Sequence, residues 1–493
     1  MGSVKILAKQ TLGYSVTTLL ARLGSYFLVP LYTKLLPTPA EYGVVVEWYS
    51  YIAILNILYL YGMESTYIRF SSGPGADEHR AFSQTFGLIL FSTFLGTVFF
   101  FCFRHEIASG MGYGGHPSYL MLVIGILAAD ALLAIPIARW RHQQRILAFS
   151  LLRIGGTVLN LMFNLFFLIL CPYLYQGQFF FSDWVQGFYE PNAHIKYIFL
   201  SNLMSSAIMI PFAIPHFRIF RPIIDKTLIL RLFRFGLPLL GMGLMGISIE
   251  YLPRVIYKYL AVGGTEREYL SDLGIFVACS KLPVFLFLLT QALRYSFDPF
   301  IFSLSPGDMK RILPRFLLGF VLVGVCVFLT VSLFSEELSI IFLGKKIYQE
   351  GLFIVPYLLM GYLFTGIYHF LAIWFKFLHK TYYGFYFSFL GLSLTLLGNL
   401  ILVPHIGYAA IGYVFLGTYF LMTLISFIYG QRFFPTAYPS LRILVHLAAA
   451  ALTVYIGLEV LGNFSHRLIL LFSYLIGLYL IEGRNYIKFR VST

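Results

Sequence analysis

The chain has 493 residues, of which 59% are hydrophobic and only 11% charged, with a mean hydropathy of +0.80. A soluble domain carries about a quarter charged residues, so this composition excludes a water-soluble protein and leaves no room for a sizeable soluble catalytic domain. The 35 Lys and Arg against 21 Asp and Glu, a formal charge of +14, read mostly as orientation charge on cytoplasmic loops rather than as a nucleic-acid surface.

In chain order, fourteen apolar segments are predicted to cross a membrane: 10–34, 43–68, 82–103, 118–138, 146–171, 196–216, 230–258, 269–295, 312–334, 351–375, 381–403, 407–430, 441–461 and 466–482. Lys5 and Lys9 precede the first segment without a small-residue cleavage site, so it reads as a span and not as a signal peptide. With the N-terminus in the cytoplasm, 24 of the 35 basic residues fall on the inside and nine on the outside. Both termini are therefore expected in the cytoplasm, as an even helix count requires. Arg22 and Lys281 fall on neither side, because both sit inside apolar segments. The four cysteines (Cys102, Cys171, Cys279, Cys326) lie far apart within apolar stretches, with neither disulfide nor metal-site spacing, and are expected as small core residues.

The most basic connection, His216 to Arg234, follows the sixth segment. Six helices followed by six more preserve orientation, so the halves are expected as two parallel lobes, 1–217 and 230–435, joined by a cytoplasmic linker at 218–229. Residues 436–493 add two further helices and a cytoplasmic tail. Asn164 to Pro172 and Asn399 to Pro404 close segments five and eleven with similar letters, either as a relic of repetition or by chance among apolar runs. The fold class is thus all-α and membrane-embedded, with about fourteen helices.

Three groups of residues carry a resemblance. Arg22 is followed by Pro30-Leu-Tyr-Thr-Lys-Leu-Leu36 and Glu41-Tyr-Gly43. Gly236-Leu-Pro238 opens segment seven, with Lys281 and Phe297-Asp-Pro-Phe-Ile-Phe-Ser303 in and after segment eight. Asn399 to Pro404 then leads to Gly407-Tyr-Ala-Ala-Ile-Gly412 and Gln431-Arg-Phe-Phe-Pro435. In order and spacing the chain resembles the polysaccharide (O-antigen type) flippases of the multidrug/oligosaccharidyl-lipid/polysaccharide exporter superfamily. Family members often carry an acidic residue immediately before the arginine late in helix seven. Pro253 stands there in this chain, with Glu250 three residues earlier, so a carboxylate role is not carried across. The resemblance implies a bacterial cytoplasmic-membrane flippase whose ligand is the pyrophosphate of a polyprenyl-linked oligosaccharide.

An ionised Lys or Arg at the centre of a membrane helix costs about 2.5–3.5 kcal/mol, so such a residue should face a polar cavity or a partner. Arg22 and Lys281 each lie about twelve residues into their segments, roughly 18 Å deep at 1.5 Å per residue. Two cations at one level suit an anionic ligand held between the halves; the bland reading is pairing with buried carboxylates or snorkelling. Glu250, Arg254 and Lys258 follow at i, i+4 and i+8 on one face of segment seven. They read either as the outer rim of a cationic cavity or as a local Glu250–Arg254 pair with a snorkelling lysine. Glu47 is a further partner for these cations. Asp130 and Arg153 should reach similar depth on adjacent antiparallel helices, as a structural ion pair or around a proton or sodium site.

The expected function is translocation of a polyprenyl-pyrophosphate-linked oligosaccharide from the cytoplasmic to the outer leaflet by alternating access. Arg22 and Lys281 would hold the diphosphate, with Arg254 and Lys258 as a secondary outer set. Glu47, Glu250 and Asp130 are the carboxylates available for the cavity or for coupling, and the choice between Na+ and H+ stays open. No cofactor, structural metal or nucleic-acid partner is expected, and the working unit is expected to be a monomer in membrane lipid. Two rivals are kept: a multidrug or cation antiporter of the same superfamily, which needs an acidic cavity, and a membrane-bound oligosaccharide polymerase or glycosyltransferase. The latter needs catalytic carboxylates in large external loops, which this sequence does not offer.

Overall fold

The computed structural model describes residues 2–73, 75–177, 182–222, 224–301 and 304–483, and among them there is helix and turn but no strand. The first span is a helix α1, Gly2–Tyr26, continued by a short helix Leu28–Leu35. Beyond α1, whose own composition falls short of this, twelve elements are long and apolar enough to cross a membrane. They are α2 Pro39–Phe70, α3 Glu78–Cys102, α4 Pro117–His142, α5 Ile146–Gln176, α6 His194–Phe217 and α7 Lys226–Leu260. After the bent pair described next come α9 Pro306–Leu333, α10 Lys346–Phe377, α11 Tyr382–Ile406, α12 Ala409–Phe433, α13 Ser440–Leu461 and α14 Phe464–Glu482. Segment eight is a broken helix, α8, made of Glu266–Cys279 and Val284–Ile301, whose parts meet at 55°. Helices occur in the order of the fourteen predicted segments, and counting α8 as one span, thirteen of them are long and apolar enough to cross a membrane. Residues after Gly483, where the cytoplasmic tail is expected, lie outside the described residues.

Polar residues set the ends of these apolar rods. Thr38 accepts from the Glu41 N–H with Pro39 in the first turn of α2, Asp77 accepts from the Arg80 N–H at the start of α3, and Asp225 accepts from the Thr227 and Leu228 N–H groups at the start of α7. Between the caps the pattern of a soluble helix is inverted. Phe91, Phe94, Leu147, Leu151 and Leu444 are exposed, because hydrocarbon rather than water is their solvent, and small or polar residues are free to occupy helix contacts. Cys171 and Cys279 are buried, as expected, but Cys102 is exposed on α3 and Cys326 half-exposed. An apolar exterior removes the penalty that would drive a thiol inward.

By packing, the chain groups into two compact units. The first comprises residues 1–274 with 384–405, hence α1 to α7, α8 as far as Gly274, and nearly all of α11. Within it α4 packs on α6 and α3, α1 on α5, and α7 along α2. Trp48, Phe199 and Phe82 are fully buried there. The second comprises 275–383 with 406–493 and is built on α9, α10 and α12, with α13 against α9. Gly366 lies so close to the Phe320 ring that a Cβ would sit 2.1 Å from it, which is how α9 and α10 approach closely. The added helices are tied in by a buried cation. Arg467 of α14 donates to the Leu333 carbonyl at 2.8 Å and meets Glu337 at 3.0 Å and Glu336 at 3.3 Å, at and just beyond the end of α9.

Candidate functional site

The first unit holds a cluster of ionisable and phenolic side chains on α1 and α7. On α7 the stripe predicted from the sequence exists, and its charges are matched. Arg254 is buried and its Nη2 lies 3.0 Å from Glu250 Oε1, while its guanidinium stacks 4.7 Å from the centre of the Tyr251 ring. From α1, Arg22 presents an exposed side chain in the same neighbourhood. The charges of Glu250, Arg22 and Arg254 all act on the Tyr26 phenol, and the same three act on Tyr251. Two guanidiniums, one carboxylate and two phenols therefore share one region, with a net charge of +1 and tyrosine hydroxyls among them. Such a set favours an anion with several acceptor oxygens, because arginine binds phosphate through paired N–H bonds.

One turn further along α7, Lys258 belongs to a second group. Its Nζ lies 2.8 Å from Glu47 Oε1 and donates to the Met111 carbonyl at 2.6 Å; the Lys258 side chain is 8% exposed and that of Glu47 1%. Tyr113 donates to Glu47 Oε2 at 2.6 Å and Tyr51 to Oε1 at 3.2 Å. Burial first, and then the Glu47 carboxylate, push the Tyr113 phenol far above its usual range, so it stays a donor. Lys258 is thus a closed-in partner of Glu47 rather than a charge at a cavity rim in this state. Beside it the backbones touch. A Cβ on Gly43 would lie 1.9 Å from the Leu270 carbonyl oxygen, and one on Gly274 would lie 2.1 Å from that of Pro39. Tyr257 also donates to Asp272 at 2.8 Å, tying α7 to the first part of α8.

At the other end of the same helix pair, Gly236 of the Gly236-Leu-Pro238 motif faces the break in α2 at Tyr61 and Gly62. Gly62 has φ +76°, and a Cβ there would meet the Gly236 carbonyl oxygen at 2.8 Å. The motif's glycine is therefore a packing residue.

Lys281 is not within a continuous helix, as expected from the sequence, but in the break of α8. Between Cys279 and Val284 the chain makes three-residue turns (Lys281 N–H to Ala278 O, 3.1 Å; Val284 N–H to Lys281 O, 3.2 Å), because Pro283 has no N–H to continue the α-helical ladder. Lys281 is half-buried there. It falls in the second packing unit, whereas Arg22 falls in the first.

Asp130 is hydrogen-bonded rather than ion-paired. Among the described residues no carboxylate–guanidinium contact joins it to Arg153; Ser206 of α6 donates to its Oδ1 at 2.9 Å, and Arg153 acts on it only at longer range. Arg153 lies on an exposed face of α5, so equal depth on adjacent helices did not make the two side chains face each other. Asn202 donates to Tyr49 at 3.3 Å, joining α6 to α2, and Tyr32 of the short helix Leu28–Leu35 donates to Asn164 of α5 at 3.0 Å. No group of three metal-ligating side chains occurs among the described residues. The tyrosines at positions 26, 251 and 113 were not singled out from the sequence. Spacing from Arg22 and Arg254 could have flagged the first two, whereas nothing local marks Tyr113.

The fold so assembled is shared by solved structures from the superfamily of multidrug, oligosaccharidyl-lipid and polysaccharide transporters, each of them under 25% identical to this chain. Solved structures with it include the lipid II flippase MurJ in an inward closed conformation (TM-score 0.69, 13% identity, 96% of this chain and 99% of that one). An inward-facing multidrug resistance MATE transporter also matches (TM-score 0.61, 12% identity, 90% and 99%). So does a transporter of the superfamily from Pyrococcus furiosus, described as having a binding pocket of reverse polarity (TM-score 0.56, 11% identity, 89% and 96%). No family model and no curated protein sequence matches the chain. The chain is a multi-pass membrane protein that shares the fold of these structures.

Proposed function

We propose that this protein is a flippase that moves a polyprenyl-pyrophosphate-linked oligosaccharide from the cytoplasmic to the outer leaflet of the bacterial cytoplasmic membrane by alternating access. The observation that carries this reading is the net positive cluster of Arg22, Tyr26, Glu250, Tyr251 and Arg254 inside an apolar transporter fold. A cation within an apolar segment is costly unless it meets an anion or polar partner, and the sign of the cluster is wrong for organic cations. Arg22 and Arg254 hold the diphosphate, the tyrosines face the sugar or phosphate oxygens, and Lys281 is a separate candidate contact for the anionic substrate. The prenyl tail stays in lipid. Two six-helix lobes, 1–217 and 230–435, rock about the site, and the Glu47–Lys258 pair with the Gly43 and Gly274 contacts closes the outer end. Coupling to H+ or Na+ is assigned to Asp130 with its Ser206 partner, and a single chain is the working unit.

Head-group translocation in proteoliposomes tests the reading. Wild type is expected to move a fluorescent prenyl-diphosphate sugar lipid, with Arg22→Ala and Arg254→Ala slowed at least tenfold and Lys281→Ala impaired. Uptake of cationic dyes by the same vesicles, with no effect of the arginine changes, would point to the antiporter reading instead. Imposed pH and Na+ gradients identify the coupling ion, and Asp130→Asn should abolish the response to it.

A further inference from the structure

Arg254 already has an anion. Glu250 sits 3.0 Å from Arg254, four residues earlier on the same helix, and its charge reaches the same phenols as Arg22. The two partners differ in freedom. The Arg254 side chain is 8% exposed and that of Glu250 33%, so the carboxylate is the one that can swing away by a rotamer change without moving the backbone. Arg254 would stay where it is, because the Tyr251 ring holds its guanidinium by a cation–π contact independent of Glu250.

We propose that Glu250 is a built-in counter-anion for Arg254, displaced when a diphosphate enters and restored when it leaves. This inference rests on the phosphate-binding reading above and adds to it how the site selects and releases its ligand. The carboxylate balances the charge of the buried guanidinium, whose removal from a partner charge is unfavourable. A diphosphate displaces it because it brings more charge and more acceptor oxygens, so both arginines can be engaged at once. A monoanion offers no more than Glu250 already does and fails to compete, which makes Glu250 a specificity-determining residue. Its return also weakens the grip on the product, so binding does not become a trap.

The test uses the full-length protein in nanodiscs and inorganic pyrophosphate as probe, with acetate as the monoanion, read by calorimetry. Glu250→Gln retains an oxygen that can accept from Arg254 and is expected to bind pyrophosphate about tenfold more tightly, since a charged hydrogen bond no longer competes. It should also acquire measurable acetate binding. In proteoliposomes the same variant should lower both the apparent KM and the turnover of head-group translocation, a split that loss of a merely structural contact does not produce. In the wild type, pyrophosphate should shift a carboxylate band in the infrared difference spectrum, and the band should be missing from Glu250→Gln. Unchanged or weaker pyrophosphate binding by Glu250→Gln, or no carboxylate band in the wild type, overturns the counter-anion role while leaving the phosphate site intact. If Arg22→Ala and Arg254→Ala also bind pyrophosphate as wild type does, the phosphate-binding reading itself fails.

Discussion

Lys258 and Glu47 are buried together, and neither has water to fall back on. Removing one partner of such a pair leaves a charge stranded in low dielectric, at a cost of about 3–5 kcal/mol. Lys258→Ala or Glu47→Ala should therefore lower the thermal unfolding temperature in detergent by several degrees. The exchange Glu47→Lys with Lys258→Glu should recover part of that loss, while failure to recover any of it would mean that Tyr113 and the Met111 carbonyl dictate the orientation of the pair. Asp225 makes a contrasting case outside the membrane. The Thr227 hydroxyl, the N–H groups of Leu228 and Thr227, and the Arg80 guanidinium 2.6 Å away hold its carboxyl below the ordinary aspartate range. A depressed carboxyl contributes stability that is fully present above its unfolded value, about 3.9, and is lost as pH falls through the folded value. Stability measured downward from pH 5 should thus decline less in Asp225→Asn than in wild type. At this scale the sequence showed which charges are unusual, but only contact showed that Arg254 and Lys258 have different partners, one on its own helix and one on α2.

Among the elements, α2, α7 and α8 carry the most consequence. Gly43 and Gly274 let backbones meet with no room for a methyl group, so Gly43→Ala and Gly274→Ala should each destabilise this packing by about 1–3 kcal/mol. Cysteine cross-linking between α2 and the first part of α8 should fall in both variants, and equal yields would show that the contact is not needed to hold those helices together. The break in α8 gives a second test. Restoring an N–H with Pro283→Ala should extend the helix through Lys281 and reduce translocation at least fivefold; spin-label distances across the break would report the straightening. Fourteen helices were legible because each needs about 20 consecutive apolar residues to span the hydrocarbon, a signal that survives without any tertiary information. The α8 break was not read, although Pro283 and Ser280 flank Lys281 in plain sight, because an interrupted apolar run resembles a continuous one in composition. The Arg467 contact with Glu336 and Glu337 joins residues about 130 apart and had no local signature at all.

Across the whole molecule, orientation rests on loop charge. With the native cysteines replaced, Lys346→Cys should react with an impermeant thiol reagent added outside intact cells, and Arg221→Cys should react only after permeabilisation. The opposite pattern would invert the proposed direction of transport. Membrane embedding, helix number and expected orientation follow from composition and from the placement of basic residues, because burial of apolar segments in lipid is a local, additive preference that each segment expresses alone. Which cations meet phenols, which meet carboxylates, and where a helix breaks are set by how the helices rotate and approach one another. Arg153 and Asp130 show the difference: chain position suggests a common depth, yet depth says nothing about azimuth, and Ser206 takes the contact. That rotation is decided by small-residue contacts such as Gly43 on Leu270 and Gly236 on Gly62, which act between segments distant in the chain and leave no periodic trace within either one.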